Sequence, residues 1–138
     1  MGDPELTVQS VITDDLRDWL LAELRYGALA VNTPDGPPAQ SVMWFDLDPN
    51  DRSVILMNTM VRRLKYRQLQ ADPQVSLLFE DGMVWFGMRG TVELDADFER
   101  ALDHIKSLAR RYQRDPSRYE GQERVIIRMR VDKVIRHD

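Results

Sequence analysis

A chain of 138 residues without cysteine is about one ordinary domain long, and it excludes a disulfide framework, a thiolate metal site and a catalytic thiol. Two histidines, His104 and His137, are too few for a histidine-rich metal centre. The net charge of −4, from 19 Lys and Arg against 23 Asp and Glu, opposes non-specific nucleic-acid binding, which needs a positive field.

Residues 1–13 carry acidic side chains and no basic one, so they read as neither signal nor transit peptide. No apolar run reaches the roughly 18 residues of a membrane-spanning helix. A cytoplasmic protein with no membrane partner is expected. Thr13 is placed to cap a helix over about Asp14–Arg25. Asp14 and Asp15 suit the positive end of its dipole, and Leu16, Trp19, Leu20 and Leu24 share one face. Gly27 stops it.

Strands follow. Ala28–Thr33 is a short apolar run, and Pro34-Asp35-Gly36-Pro37-Pro38 is turn chemistry. Gln40–Leu47 alternates, with Ser41, Met43 and Phe45 on one face and Val42, Trp44 and Asp46 on the other. After the turn at residues 48–51, Ser53–Asn58 has the composition of a buried strand. A helix is predicted over about Val61–Ala71, ended by Asp72-Pro73. Gln74–Glu80 and Met83–Leu94 form a hairpin around Asp81-Gly82, and Gly87 and Gly90 suggest a bulge or a close backbone approach. A third helix spans about Asp97–Gln113, with Phe98, Leu102, Ile105, Leu108 and Tyr112 on one stripe. A polar, irregular stretch over Arg114–Glu123 leads to a closing strand, Arg124–Ile135.

About six strands in hairpins, interrupted by helices, give no βαβ repeat. Antiparallel closure into a small barrel removes the exposed edges. The predicted class is mainly β with peripheral helices, in one domain over 1–138. Apolar outer faces favour an oligomer, first of all a two-fold dimer.

One constellation carries chemistry. Arg62, Arg63, Lys65 and Arg67 fall within six residues, and no acid lies between Asp51 and Asp72. The cluster follows the strand end Met57-Asn58-Thr59 and opens a helix that Thr59 or Asn58 can cap. Unpaired helix N–H groups, a hydroxyl and several cations together make a phosphate site. Val61, Leu64 and Leu69 are the expected buried side of this helix. The plainer reading is a solvated basic face paired with acids between Asp95 and Asp103.

The other candidates are Trp44, Phe45, Trp85 and Phe86, which could wall a flat-ring pocket or simply pack in the core or a dimer. His104 reads as a partly exposed surface residue and His137 as part of a frayed tail. The acidic run from Glu93 to Asp103 fits no calcium loop. Gly87-Met88-Arg89-Gly90 lacks the setting of a dinucleotide fingerprint. No metal site is expected.

The stretch Asn58–Leu77, with Thr59, Lys65, Leu69, Asp72-Pro73 and the strand after it, resembles the flavin and deazaflavin oxidoreductases of the pyridoxamine 5'-phosphate oxidase-like split-barrel class. Gly27–Thr33, the Pro-Asp-Gly turn and Gln40–Phe45 resemble its first hairpin. Val84–Glu93 resembles its long strand with an inner Gly, and Arg124–Val131 its closing strand. The resemblance implies a six-stranded antiparallel split β-barrel, the FMN-binding split barrel, acting as a homodimer with two cofactor sites at the subunit interface. It puts Thr59, Lys65 and one or both of Arg62 and Arg63 on the cofactor phosphate. Ser41, Val42, Met43 and Trp44 would lie along the ring system, Met57 and Asn58 belong to the same cofactor-binding set, and the partner subunit's Trp85 would reach over.

Gln68 stands where the family often has Asn. The chain also stops soon after the closing strand, without the extension carrying a paired Arg and His, an expectation against vitamin B6 oxidation. Coenzyme F-420 is preferred to FMN because its acidic glutamyl tail would use the spare charges of Arg62, Arg63 and Arg67. The implied activity is hydride transfer to a conjugated small-molecule acceptor. The alternatives are an FMN-dependent oxidoreductase and a non-catalytic carrier of flavin, F-420 or haem. No side chain stands out as a general acid; water, Tyr66 and Tyr112 are the candidate proton sources.

Overall fold

The alternating apolar runs become one antiparallel sheet that curls on itself. The computed structural model describes residues 6–138. Its strands are β1 (Leu6–Gln9), β2 (Gly27–Thr33), β3 (Gly36–Met43), β4 (Asp46–Leu47), β5 (Val54–Met60), β6 (Gln74–Asp81), β7 (Val84–Asp95) and β8 (Arg124–His137). The helices are α1 (Asp14–Ala22), α2 (Leu64–Ala71) and α3 (Phe98–Arg111). The strand order is β3-β2-β6-β7-β8-β5-β4, and β1 also pairs with β8. The two edge strands β3 and β4 are consecutive in the chain and joined by Trp44-Phe45 alone. That short link cannot span an open sheet, so the edges are drawn round toward each other and the sheet becomes a split barrel.

The barrel interior takes every second residue. Leu29, Phe45, Met57, Leu77, Phe79, Phe86, Met88, Ile127 and Met129 are buried there, with Ile12, Leu16 and Leu20 from α1 and the segment before it. Each such side chain contributes roughly 1.5–3 kcal/mol of burial. A second cluster, Leu102, Ile105 and Leu108 of α3, packs with Trp44 and Tyr119 outside the barrel.

Eight strands stand where six were expected, for two reasons. The run Gln40–Leu47 is interrupted because α3 captures the backbone at Phe45. Its N–H donates to the Tyr112 hydroxyl (3.2 Å), and its carbonyl accepts from Arg111 Nε (3.1 Å). The added strand β1 lies along the second half of β8, Leu6 opposite His137 and Gln9 opposite Val134. It carries no sequence signal because its Val8 faces solvent.

Other boundaries move for local reasons. α1 ends at Ala22, where Glu23 is extended, and Arg25 folds back to donate to the Trp19 carbonyl (2.9 Å) and to cover its ring. The helix predicted from Val61 begins at Leu64, capped by Arg63. Asn58 and Thr59 therefore cap nothing: they lie in β5, opposite Ile126 and Val125. On α2 only Leu69 is buried, while Leu64 is exposed. Phe98 likewise leaves the α3 stripe for solvent. His137 is no frayed end, since it pairs within the sheet and its ring stacks on Trp85 at 5.5 Å. Among the described residues no helix is long and apolar enough to cross a membrane.

The inner glycines of β7 separate into two kinds. At Gly90 the register against β8 shifts, and an added Cβ would lie 2.0 Å from the Arg130 carbonyl oxygen. At Gly87 the nearest atom would be 3.8 Å away. Gly90→Ala is therefore expected to destabilise the fold by about 2 kcal/mol or more, because backbone must shift. Gly87→Ala should change it by less than about 1 kcal/mol. Thermal unfolding of the two variants side by side checks this, and equal melting temperatures would contradict it.

Candidate functional site

β5 ends on Asn58, Thr59 and Met60, and the chain turns through Val61–Arg63 before α2 begins. The turn is held by Val61 N–H donating to the Glu123 carbonyl (3.0 Å) and Arg63 N–H to that of Met60 (3.0 Å). The first N–H groups of α2 have no acceptor within the helix. Among the described residues none of Arg62, Arg63, Lys65 and Arg67 forms an ion pair. The acids that could have paired with them are engaged otherwise: Asp95 and Asp97 both hold Arg100.

Lys65 is the half-buried member of the cluster. Its Nζ lies 3.1 Å from Met43 Sδ, a weak acceptor. Burial, and then the neighbouring Arg63, hold its ammonium below the usual lysine range. A cleft of about 290 Å³ opens here, lined by Gln40, Ser41, Arg63, Leu64, Lys65 and Gln68. Beside it, on the other side of Met43, a smaller cavity of about 180 Å³ is lined by Val42, Met43, Trp44, Asn58, Tyr119 and Arg124. Arg62 faces a third hollow, of about 360 Å³, with Met60, Val61, Gln122 and Glu123.

The residues expected at the site thus fall into groups. Ser41, Arg63 and Lys65 meet in the first cleft, and Val42, Met43, Trp44 and Asn58 in the second. Thr59 is nearly buried, and no side-chain hydrogen bond engages its hydroxyl among the described residues. Met57 is wholly inside the barrel, so its side chain faces the core rather than either cleft. Trp85 pairs with His137 at the far end of β8, whereas Asn58 pairs with Ile126 near its start. Across the sheet, however, Trp85 lies two residues from Gly87, whose row runs through Leu78 and Ala28 to Val42 at the second cavity, roughly 14 Å away over three strand spacings.

The polar surroundings of these residues were not legible in the sequence. Asn58 joins a polar chain: its Nδ2 donates to the Ala101 carbonyl (3.1 Å) and lies 3.1 Å from His104 Nδ1, and its Oδ1 accepts from Arg124 Nε (2.9 Å). His104 Nε2 is 3.2 Å from Asp46 Oδ1. His104 is therefore a mostly buried link between β4 and β5, contrary to its reading as a surface residue; its side chain is 10% exposed. Arg124 looked like one more outward cation of an alternating strand, and nothing local marked it. Tyr112 is already committed, its hydroxyl donating to the Arg25 carbonyl (2.5 Å) while accepting from Phe45 N–H. Burial raises its pKa, so it is a poor proton source.

The comparisons bear on the family and the fold. Residues 12–138 match the family described as pyridoxamine 5'-phosphate oxidase. An F420 reductase of solved structure is similar at 29% identity, over 85% of this chain and 94% of its own, with a TM-score of 0.72. A conserved hypothetical protein from Mycobacterium tuberculosis shares the fold at 24% identity, over 91% and 84%, with a TM-score of 0.73. The General Stress Protein 26 of Bacillus anthracis does so at 18%, over 84% and 86%, with a TM-score of 0.62. No curated protein matches the chain.

Two outcomes are expected. Asn58→Ala should cost about 1–3 kcal/mol in urea unfolding, because it strands Arg124 Nε and breaks the link to His104. Lys65 has a depressed pKa, so its charge is lost as pH rises through a range below that of a free lysine. Affinity for inorganic phosphate should fall there, and Lys65→Arg should carry the loss to higher pH. Titrations of both proteins across the alkaline range decide this, and superimposable profiles would remove Lys65 from the anion site.

Proposed function

The chain belongs to the pyridoxamine 5'-phosphate oxidase family, and from that premise we propose that it is an oxidoreductase using coenzyme F-420 to reduce a conjugated small molecule, at a site completed by a second copy of the chain. The observation that carries this is the uncompensated cationic edge of α2. In a chain of net charge −4, Lys65 and Arg63 stand without a carboxylate partner over the β3 cleft. Such an arrangement costs stability until an anion arrives, and it suits a phosphate.

When bound, the reduced coenzyme supplies a hydride equivalent, and the protein supplies binding, orientation and field. Lys65, Arg63 and the first N–H groups of α2 would neutralise the phosphate. Ser41–Trp44 of β3 and the link after it offer a flat edge along which a planar ring can lie, and Met43 and Trp44 keep water from it. Arg62, lining the neighbouring hollow, and the exposed Arg67 leave further charge that suits an acidic tail. With Tyr112 engaged twice, water and Tyr66 are left as sources of the proton that completes the reduction. FMN is the second reading, favoured by the fact that only Arg63 and Lys65 of the four cations line the phosphate cleft.

The second copy is supported by the outer face of the sheet. Cross-strand partners Val42, Ala28, Leu78, Gly87, Ile135 and Val8 form one unbroken row over β3, β2, β6, β7, β8 and β1. Val42, Leu78 and Val8 are exposed by 72%, 43% and 62%. An apolar row of this length fits a partner surface. Val42 also lines the second cavity, and Trp85 stands on the same face as Gly87, two residues away. A two-fold partner seated on this row would bring its own Trp85 toward Val42.

Fluorescence titration of the apo-protein with F-420 and with FMN tests the reading. Lys65→Ala and Arg63→Ala should each weaken the preferred cofactor by roughly 1.5–3 kcal/mol. Unchanged affinity in both variants would take the phosphate away from this cleft. Light scattering should give a dimer, and oxidation of reduced cofactor by an enone or quinone separates an enzyme from a carrier.

A further inference from the structure

Arg124 is a cation without a counter-ion in a cavity that the phosphate reading does not use. It begins β8, and Asn58 Oδ1 holds its Nε at 2.9 Å while Gln122 Oε1 holds Nη1 at 3.0 Å. Among the described residues no carboxylate comes within salt-bridge distance of it, and no hydrogen bond engages Nη2. The guanidinium is half-buried, lies 5.6 Å from the Tyr119 ring centre, and lines the cavity of about 180 Å³. Burial lowers its pKa from the usual arginine range, and Arg63 adds to the effect. Positive charge is therefore fixed in place there and left uncompensated.

The rest of the cavity is flat and apolar. Trp44 stands with its ring parallel to that of Tyr112 (5.1 Å, 6°) and meets Tyr119 edge-on at 6.4 Å. Ile105 and Leu108 of α3 form the wall, and Val42 the rim. The chain Asp46–His104–Asn58 behind Arg124 fixes the direction of the guanidinium before any ligand arrives. Met43 lines this cavity, and its Sδ lies 3.1 Å from Nζ of Lys65, which lines the other cleft. Two cationic ends thus flank the β3 edge, one beside Lys65 and Arg63 and one beside Arg124.

We propose that Arg124 binds the anionic end of the acceptor, and that the acceptor is a compact, planar, conjugated carboxylate whose flat part rests against Trp44 and Tyr119. The proposal rests on the reading above that a redox ring lies along β3 between the two cationic ends. A planar fork with free donor capacity matches a carboxylate, and a preorganised cation in a partly desolvated wall discriminates strongly against a neutral isostere. The small volume suits a compact ligand.

The test uses cofactor-free protein with two probes of equal shape, cinnamate and its neutral amide cinnamamide, followed by nuclear magnetic resonance titration. Cinnamate should bind about tenfold or more tightly than the amide. Arg124→Gln should bring cinnamate down to the level of the amide and leave the amide unchanged, and Arg124→Lys should keep part of the preference. Val42→Trp, at an exposed rim position that does not threaten folding, should block both probes. Lys65→Ala should weaken F-420 and leave cinnamate alone. Equal binding of the two probes by the unaltered protein, or an intact preference in Arg124→Gln, overturns the proposal. So does a loss of F-420 affinity in Arg124→Gln matching that of Lys65→Ala, which would move Arg124 into the cofactor site. If neither F-420 nor FMN binds while cinnamate still depends on Arg124, the cofactor reading falls and the carboxylate site stands.

Discussion

The link Trp44-Phe45 is the constraint on which the rest of this molecule depends. It joins the two edges of an otherwise open sheet and is itself taken out of the sheet by α3. Phe45 cannot pair with a strand because the Tyr112 hydroxyl and the Arg111 guanidinium occupy its N–H and carbonyl. Its ring is buried against Phe79 at 4.8 Å. Trp44, forced to the opposite side, becomes the aromatic wall of a cavity. One backbone break thus closes the barrel, docks the long helix and shapes the candidate site.

Charge is arranged with the same economy. Several arginines are matched: Arg128 with Asp48, Arg130 with Asp51, Arg100 of α3 with Asp95, and Arg136 with Asp15 and Asp138. These pairs sit at strand ends and loop turns, where each holds a segment to the sheet. Of the cations with no ion pair among the described residues, Arg63 and Lys65 of the α2 turn and Arg124 are the ones that line the clefts beside β3. Exposed ion pairs contribute little to stability, so what matters is where partners are missing. In an acidic protein, two neighbouring clefts lined by cations and by no acid are where the proposed anions would bind.

The polar chain from Asp46 to Arg124 ties those places to the fold. It connects β4, α3, β5 and β8 through side chains that are mostly buried and satisfied. A fully bonded buried network specifies one arrangement and resists repacking. The guanidinium at its end is therefore fixed, unlike the mobile arginines of a solvated helix face.

Periodicity made the barrel strands and α3 legible, since each buries every second residue or one helical stripe. The bulge at Gly90 was legible because a glycine inside a β-branched strand has a steric reason to be there. The cation cluster at Arg62–Arg67 was legible as a run of like charge with no acid near it in the chain. What the sequence could not contain is which of those cations is half-buried, since Lys65 owes its desolvation to Met43, a residue of another strand. The start of α2, the separate strand β4 and the embedding of His104 were hidden for the same reason: each depends on hydrogen bonds from distant segments, which override local propensity. Arg124 shows the limit most plainly. Along the chain it is one more outward arginine in an alternating strand, and only the closing of the barrel sets it beside Asn58, Trp44 and Tyr119 with no acid in reach.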